Sequence, residues 1–413
     1  MYTYLSNQTY AGGFDVGMVQ AGFKLLHKTE QKGAFGTANC LANRHILGQD
    51  WTHQAGPAST WEVMSADVMV ANPPCSGFSV MSAKHFRGAE SPVLSCMWDY
   101  VEYVAKVQPQ IAVFESVQQA FTHKDGLVTM RALRSRVEEL TGKKWDLYHV
   151  RHNAYSVGGC AQRRRYFWLI SQIPFGIEIP RPRYLPKFSE IIGDLAPLAV
   201  TWNPQAYRLP AHPWTRQLLN PEGTVDGHMN MRNPLTRRLG DIMSGVHWPP
   251  GKSMAEVVKM YYDKHGRLPD SWAETEDKIV KRDFVMGFTT PTRWRGDNPA
   301  RVITGGSLQM VIHPWLDRMI THREAARILG FPDNWLIQPL RRVSGLHMMW
   351  GKGISTHCGR WIGEWMHSAL DGVPGSYRGE PMGEREWDID VTDAWRSAAT
   401  APQHTIDYVG VVQ

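Results

Sequence analysis

The sequence predicts an α/β protein built on a mostly parallel sheet, with a second, smaller domain after it. Three observations carry that expectation. Over the first 170 residues, short apolar runs alternate with stretches of helical spacing, the pattern of βα units. From 187 to about 315, Trp, Arg, Pro and Gly are scattered with no such rhythm. Helical patterning returns from Thr321.

The elements follow in order. Tyr2 to Leu5 is the first expected strand. Gly12 to Phe23 reads as a helix, with Phe14, Met18 and Ala21 on one face. A second strand passes Leu25 and Leu26 and runs to Glu30. Val68, Met69 and Val70 form a buried strand. It is stopped by Asn72-Pro73-Pro74, because two prolines stiffen the backbone and remove two N–H donors. A helix through YVEYVAKVQPQ stops before Pro109, and strands follow at Ile111 to Ser116 and Arg165 to Ile170. Ile179 to Pro186 reads as a linker. Thr321, with Glu324 three residues on, makes a capping box. In the last helix Trp361, Ile362, Trp365, Met366, Ala369 and Leu370 share one face. Beyond Gly372 the chain is rich in Gly, Pro and Asp and is expected to be loosely ordered. The expected domains are therefore 1–180, 187–315, a segment 320–372 returning to the first domain, and a tail 373–413.

Composition excludes several classes. A hydrophobic share of 43% and a charged share of 20% describe an ordinary globular protein. A formal charge of +6 permits a polyanionic partner without demonstrating one. The five cysteines, Cys40, Cys75, Cys96, Cys160 and Cys358, show no CxxC spacing, so neither a disulfide framework nor a metal site is expected. No signal segment or membrane span is read, and a cytoplasmic monomer is expected.

Ligands of open parallel sheets bind at the carboxyl ends of the strands. Glu30, Cys75 and Glu115 stand at three such ends. Glu30 lies 18 residues after Gly12, close to the spacing at which an acid meets ribose hydroxyls in nucleoside-binding βαβ units. The Gly12-Gly13 pair is only a fragment of a glycine motif, and a turn beside a surface acid remains an alternative. Cys75 follows two prolines and precedes SGFS, so it reads either as a nucleophile or as a structural thiol. A buried Glu115 needs a partner or a task, unless it caps the next helix. In GGCAQRRRYF, strand alternation puts Arg163 and Arg165 on one side, where planar guanidinium donors suit phosphate, carboxylate or carbonyl oxygen.

Together these stretches resemble the DNA cytosine-5 methyltransferases. The matching segments, in the family's order, are AGGFDVGMVQAGF, Glu30, NPPCSGFS, FESV, QRRRYF, MITHREAARILGFPDNW and WGKGIST. The resemblance implies a Rossmann-like S-adenosylmethionine-dependent methyltransferase fold whose second domain recognises the target, with double-stranded DNA as partner and base flipping as the means of access. It implies that Cys75 attacks cytosine carbon 6, that Glu115 holds a proton at ring N3, and that Arg163 and Arg165 steady the base carbonyl and the adduct. It assigns the cofactor to Tyr10, Ala11, Gly12, Gly13, Phe14, Glu30, Asp50, Asn72, Pro74, Lys352 and Gly353. DNA contacts fall to Ser79 and Arg87, in a loop resembling the family's mobile one.

The sequence also departs from the family. Gln8-Thr9-Tyr10-Ala11-Gly12-Gly13 stands where the family has FxGxGG, so the aromatic and the first glycine are replaced, as in a divergent, phage-like branch. The ENV asparagine is Ser116. Counting from Gln162 would select Arg164, but the strand register favours Arg163 and Arg165. Lys352 replaces an asparagine. It either faces solvent or an acid, contacts DNA phosphate, or pairs with the carboxylate of carboxy-S-adenosylmethionine, which would make the reaction a carboxymethyl transfer. Three further readings stay open: an amino-methyltransferase suggested by NPP, a tRNA cytosine methyltransferase, and an inactive DNA-binding homologue.

Overall fold

The computed structural model describes residues 1–31, 37–78, 94–182, 184–198, 241–280, 292–303, 311–316, 320, 322–337 and 349–396. The chain divides into two compact units. The first comprises Met1–Ala34, Arg44–Pro186 and Ile354–Gln413, and the second Phe35–Asn43 and Lys187–Gly353. Residues 320–353 thus cluster with the second unit, and the chain returns to the first at Ile354.

The first unit is a nine-stranded sheet. Its strands are β1 (Thr3–Asn7), β2 (Lys24–Glu30), β3 (Thr52–Ala55), β4 (Val68–Ala71), β5 (Ile111–Ser116), β6 (Asp146–Asn153), β7 (Arg164–Ser171), β10 (Glu380–Gly383) and β11 (Glu386–Asp390). The order is β10-β11-β6-β7-β5-β4-β1-β2-β3. The chain builds outward from β1 to β2 and β3, then crosses back to β4 and β5. The boundary between β1 and β4 is therefore a topological switch point, where such sheets open a crevice. Helix α1 (Gly13–Gln20) follows β1, α2 (Ser95–Val107) follows β4, and α3 (Lys124–Thr141) follows β5. β4 and β5 are buried along their whole length, as apolar runs in a doubly covered parallel sheet must be.

β7 is the exception to the parallel pattern. It runs antiparallel to both β5 and β6. Its amino end therefore lies where β5 and β6 have their carboxyl ends. β6 has no counterpart in the sequence reading, because Asp146, Arg151 and two buried histidines interrupt its apolar pattern.

The tail is a correction to the sequence expectation. β10 and β11 form an antiparallel hairpin, and β11 adds to β6 in parallel. The alternation of Ile389 and Val391 with acidic residues supplies the buried face. Polar contacts fasten it. Glu386 Oε1 lies 2.7 Å from His149 Nε2 and accepts from Arg131 Nε at 2.9 Å. His149 Nδ1 lies 2.7 Å from the Tyr166 hydroxyl. Burial, the largest influence, lowers the His149 pKa and favours the neutral imidazole, which then donates to Glu386 and accepts from Tyr166. Arg151 pairs with Asp388 and Asp390, and Trp387 stacks on Tyr148 at 4.9 Å.

Helix α7 (Thr356–Leu370), numbered after three helices of the second unit, packs on α1. A Cβ at Gly17 would lie 2.3 Å from Arg360 N, so the two backbones approach as only glycine allows.

Within the second unit, α4 (Met254–His265) starts at a capping box of Ser253 and Glu256. Its Met254, Val257 and Val258 join Trp248, Trp272 and Ile312 in a separate core, and α5 (Ala273–Val280) follows Trp272. A short parallel pair joins β8 (Thr292–Arg293) to β9 (Val311–Ile312), and the buried Arg293 donates to the carbonyls of His313 and Leu316. Helix α6 (His322–Ile328) follows; Thr321 of the expected capping box lies outside the described residues. Among the described residues, no helix is long and apolar enough to cross a membrane.

Glu386→Gln should lower unfolding free energy in urea by about 2 kcal/mol, because it breaks a largely buried charged network. Burial alone would raise this carboxyl, but His149 and Arg131 overcome that and hold it at about 2. Its contribution is therefore complete above pH about 4.5 and is lost as pH falls toward about 2. The variant should show a shallower acid decline than the parent.

Candidate active site

The carboxyl ends of β2, β1, β4 and β5 bring Glu30, Asn7, Asn72 and Glu115 to one edge of the sheet. Each of these four side chains has a buried oxygen without a hydrogen-bond partner: Glu30 Oε1, Asn7 Oδ1, Asn72 Oδ1 and Glu115 Oε1. The Gln8 amide Nε2, next along the chain from β1, is likewise unmatched. Buried polar groups in folded proteins are satisfied as a rule, and leaving one unmade costs about 1–3 kcal/mol. Five on one edge mark a place built to meet polar groups of a ligand.

Glu115 is the best-braced of them. Asn72 Nδ2 donates to Oε2 at 2.7 Å. Arg165 Nε approaches Oε1 to 2.9 Å as an ion pair, off the line of an aligned hydrogen bond. Burial pushes the Glu115 carboxyl up to about 7, although Arg165, Arg163 and Asn72 all oppose it. A group with that affinity exchanges a proton readily near neutral pH. Arg163 is fully buried; burial and then the neighbouring Arg165 pull its guanidinium down to about 9, so it stays charged at neutral pH.

Cys75 lies on the hook after Pro73-Pro74, where a turn closes with Phe78 N–H donating to the Cys75 carbonyl at 3.0 Å. The residue as a whole is half-buried. Burial and then the Glu115 charge push its pKa up, while Arg165, Arg163 and the Val117 backbone N–H work against them. Cys75 and Glu115 thus share one electrostatic environment, with the two arginines acting on both.

The loop after β1 supplies the other side. Tyr10 has φ 45° and Gly12 φ 86°, both left-handed, and Gly12 caps α1. Burial raises the Tyr10 phenol strongly, followed by Cys75, Cys96, Glu115 and Glu30. Its hydroxyl therefore feels both ends of the site and stays neutral, a hydrogen-bond donor. Ala11 is buried, and Phe14 turns its ring into the core, 5.7 Å from Phe167.

A family model described as C-5 cytosine-specific DNA methylase matches residues 5–367. The chain belongs to this family. Among curated proteins it is 24% identical over 370 residues to the type II methyltransferase M.DdeI of Desulfomicrobium norvegicum, covering 84% of this chain and 81% of that protein. It is 25% identical over 343 residues to the type II methyltransferase M1.HphI of Haemophilus parahaemolyticus, covering 81% and 78%. A solved structure described as a DNA modification methyltransferase encoded within an Escherichia coli prophage superposes with TM-score 0.55 at 17% identity, covering 90% of this chain and all of that one. That likeness concerns the fold.

The structure places the residues matched to the C-5 methylase motifs as follows. Cys75, Glu115, Arg163 and Arg165 are together, whereas Arg164 is exposed and pairs with Asp393 at 3.2 Å. Glu30, Tyr10, Ala11, Gly12, Gly13, Asn72 and Pro74 belong to the same edge or to the loops leaving it. Asp50 does not. It precedes β3 at the amino end of the strands, is exposed, and pairs with Lys24 at 3.8 Å. It stands away from the edge that carries Glu30 and Asn72. Lys352 and Gly353 belong to the second unit, with Lys352 exposed. Ser79 and Arg87 lie outside the described residues.

Several residues of the site escaped the sequence reading. Cys358 of α7 feels Glu115 and Arg163. His152 is buried on Phe167 at 4.3 Å, and burial with Arg165 and Arg163 pulls it down to about 3, so it is neutral. Lys28 and Asp15 are buried beside Glu30. A charged residue inside an expected buried strand or helix face was the signal available for the last two.

Arg165→Gln should move proton loss from Glu115 to a pH above about 7, read from the carboxyl carbon in an NMR titration. An unchanged midpoint would show that the ion pair does not govern this group.

Proposed function

We propose that the chain methylates carbon 5 of cytosine in double-stranded DNA, using an extruded base and a covalent Cys75 adduct. The observation that supports this most is the shared setting of Cys75 and Glu115, with Asn72 and Arg165 bracing the carboxyl. Carbon 5 and carbon 6 are shielded in a stacked duplex, so the base must be flipped to meet a thiol. The Cys75 thiolate adds to carbon 6. The Glu115 carboxylic acid donates its proton to ring N3, drawing electrons away from carbon 6 as the sulfur attacks. Carbon 5 then carries the electron density. With the methyl group that a bound donor would supply joined to carbon 5, that carbon's proton passes to water, the 5,6 double bond reforms, the Cys75 thiolate is expelled, and N3 returns its proton to Glu115. Arg163 and Arg165 stabilise the negative charge that develops on the base carbonyl and on the sulfur. Residues 187–315 we assign to reading base edges.

The edge also fits a nucleoside cofactor. Glu30 Oε1 and Asn7 Oδ1 are unmatched acceptors for hydroxyls, and Gln8 Nε2 is an unmatched donor. S-adenosylmethionine supplies an electrophilic methyl group when bound there. The donor set is then Tyr10, Ala11, Gly12, Gly13, Glu30, Asn72 and Pro74, with Phe14 contributing backbone alone.

A second reading concerns the donor. Lys352 stands in the sequence where the family has asparagine, and a cation in that motif favours a donor bearing a carboxylate, carboxy-S-adenosylmethionine. Mass measurement of the modified nucleoside after incubation with each donor separates methyl from carboxymethyl. A methyl product at full rate, unaffected by Lys352→Asn, discards the second reading.

Duplex DNA containing 5-fluorocytosine should trap the enzyme covalently, and Cys75→Ala should abolish the trap. Full activity in Cys75→Ser, with methyl on an exocyclic nitrogen, would overturn the mechanism. Glu115→Gln should slow turnover roughly 100- to 10,000-fold. The reactive state, thiolate with protonated carboxyl, has lost the same number of protons as thiol with carboxylate. The single-turnover rate should therefore rise as pH passes about 7 and fall again once Cys75 itself titrates.

A further inference from the structure

Among the described residues Lys28 is the one lysine with a fully buried side chain, and it stands two positions before Glu30 on the same face of β2. Its Nζ reaches Asp15 Oδ2 at 3.1 Å and Glu30 Oε1 at 3.4 Å. It also donates to the Thr9 hydroxyl. Asp15 in turn accepts from the Thr9 hydroxyl and from the Tyr4 hydroxyl at 3.4 Å. An ammonium in the interior is tolerated only when paired and hydrogen-bonded. Here one ammonium serves two carboxylates, and the shares are unequal. Asp15 is ringed by three donors. Glu30 receives only the longer contact, and its Oε1 has no aligned donor. The cluster therefore joins three pieces of chain that a nucleoside would touch: the loop at Thr9, the start of α1 at Asp15, and the end of β2 at Glu30.

We propose that Lys28 is a positioning residue for donor binding, tying the Thr9 loop and Asp15 to Glu30 so that the Glu30 carboxylate faces a ribose diol. The inference rests on the reading that Glu30 binds the ribose of the methyl donor. Thr9 lies in the segment that replaces the family's FxGxGG motif, so Lys28 fastens a loop whose residues have changed.

The charge balance makes the role measurable. Glu30 is faced by Lys28 from its own strand, by Asp15 from α1 and by the Tyr10 phenol from the loop. Beyond these, Asp99 of α2 binds the neighbouring Gln31, and His53 of β3 feels Lys28. Burial pushes the Glu30 carboxyl up to about 7, Lys28 opposes that, and Asp15 adds to it. A protonated Glu30 loses an acceptor, so donor affinity should fall as pH drops through about 7. Without the lysine, the midpoint moves up.

The test is calorimetric titration of the full chain with S-adenosylhomocysteine from pH 6 to pH 9, ranges set on the order of the expected midpoint. Lys28→Met should raise the midpoint by about one unit or more and weaken binding roughly tenfold at pH 7.5, with recovery toward pH 9. In turnover this appears in KM for the donor, with kcat at saturation little changed. Asp15→Asn should move the midpoint in the opposite direction, which a merely structural defect would not do, and it serves if Lys28→Met does not fold. Glu30→Gln should weaken binding and flatten the pH profile. If Glu30→Gln binds as the parent does, the ribose reading itself falls. If Glu30→Gln binds poorly but neither Lys28→Met nor Asp15→Asn moves the midpoint, the role of Lys28 is overturned.

Discussion

The contact between Arg165 and Glu115 exists because β7 runs against its neighbours. In a wholly parallel sheet, the residues before β7 would lie at the far edge, more than a strand's length from the end of β5. Reversal brings them to the edge where β1, β2, β4 and β5 finish, with Ser116 opposite Tyr166 and Glu115 opposite Phe167. Arg165 is then two positions along the same face from Phe167, in reach of Glu115. Without Arg165, a carboxyl buried this deeply would hold its proton to higher pH, and the thiol beside it would face one cation, Arg163, instead of two.

The site is held together at a cost in stability. Buried polar atoms without a hydrogen-bond partner on Asn7, Gln8 and Asn72 each weaken the folded state until a ligand meets them. The rest of the unit is correspondingly firm. β4 and β5 are buried throughout, Phe114 stacks on Trp168 at 4.9 Å, and the backbones of α1 and α7 touch at Gly17 and Gly359. Backbone strain is present in the loop after β1, where Gln8 and Tyr10 adopt left-handed backbone despite carrying side chains.

Much of this was legible in the chain, and the failures have physical causes. Ile111–Ser116 is an unbroken apolar run closed by a charge, and the structure starts and stops the strand at those residues. Val68–Ala71 was equally plain because prolines end it. The cofactor loop could be located from Gly12 although its motif is eroded, since the left-handed turn still needs a glycine there. Strand direction was hidden: RYFWLI has the same alternation read either way. β6 was hidden because its inward residues include His149 and His152, polar groups that only tertiary contacts tolerate. Asp50 was misplaced because a motif match carries no information on which end of a strand a residue occupies. The hairpin Glu380–Asp390 was missed because its Gly and Pro content outweighed a short alternation, while the partners of Glu386 lie over 200 residues away.

That distance has a consequence for how the protein is made. His149 and Glu386 are separated by 237 positions, so β6 emerges from a ribosome long before β11 can cover it. Until then the row of N–H and C=O groups along β6 is an open flank, able to zip onto a neighbouring nascent chain. Closing so long a span is slow, because loop entropy must be overcome before any contact rewards it. Synthesis at low temperature, or with a chaperone that masks extended segments, should therefore favour soluble product over tangled multimers.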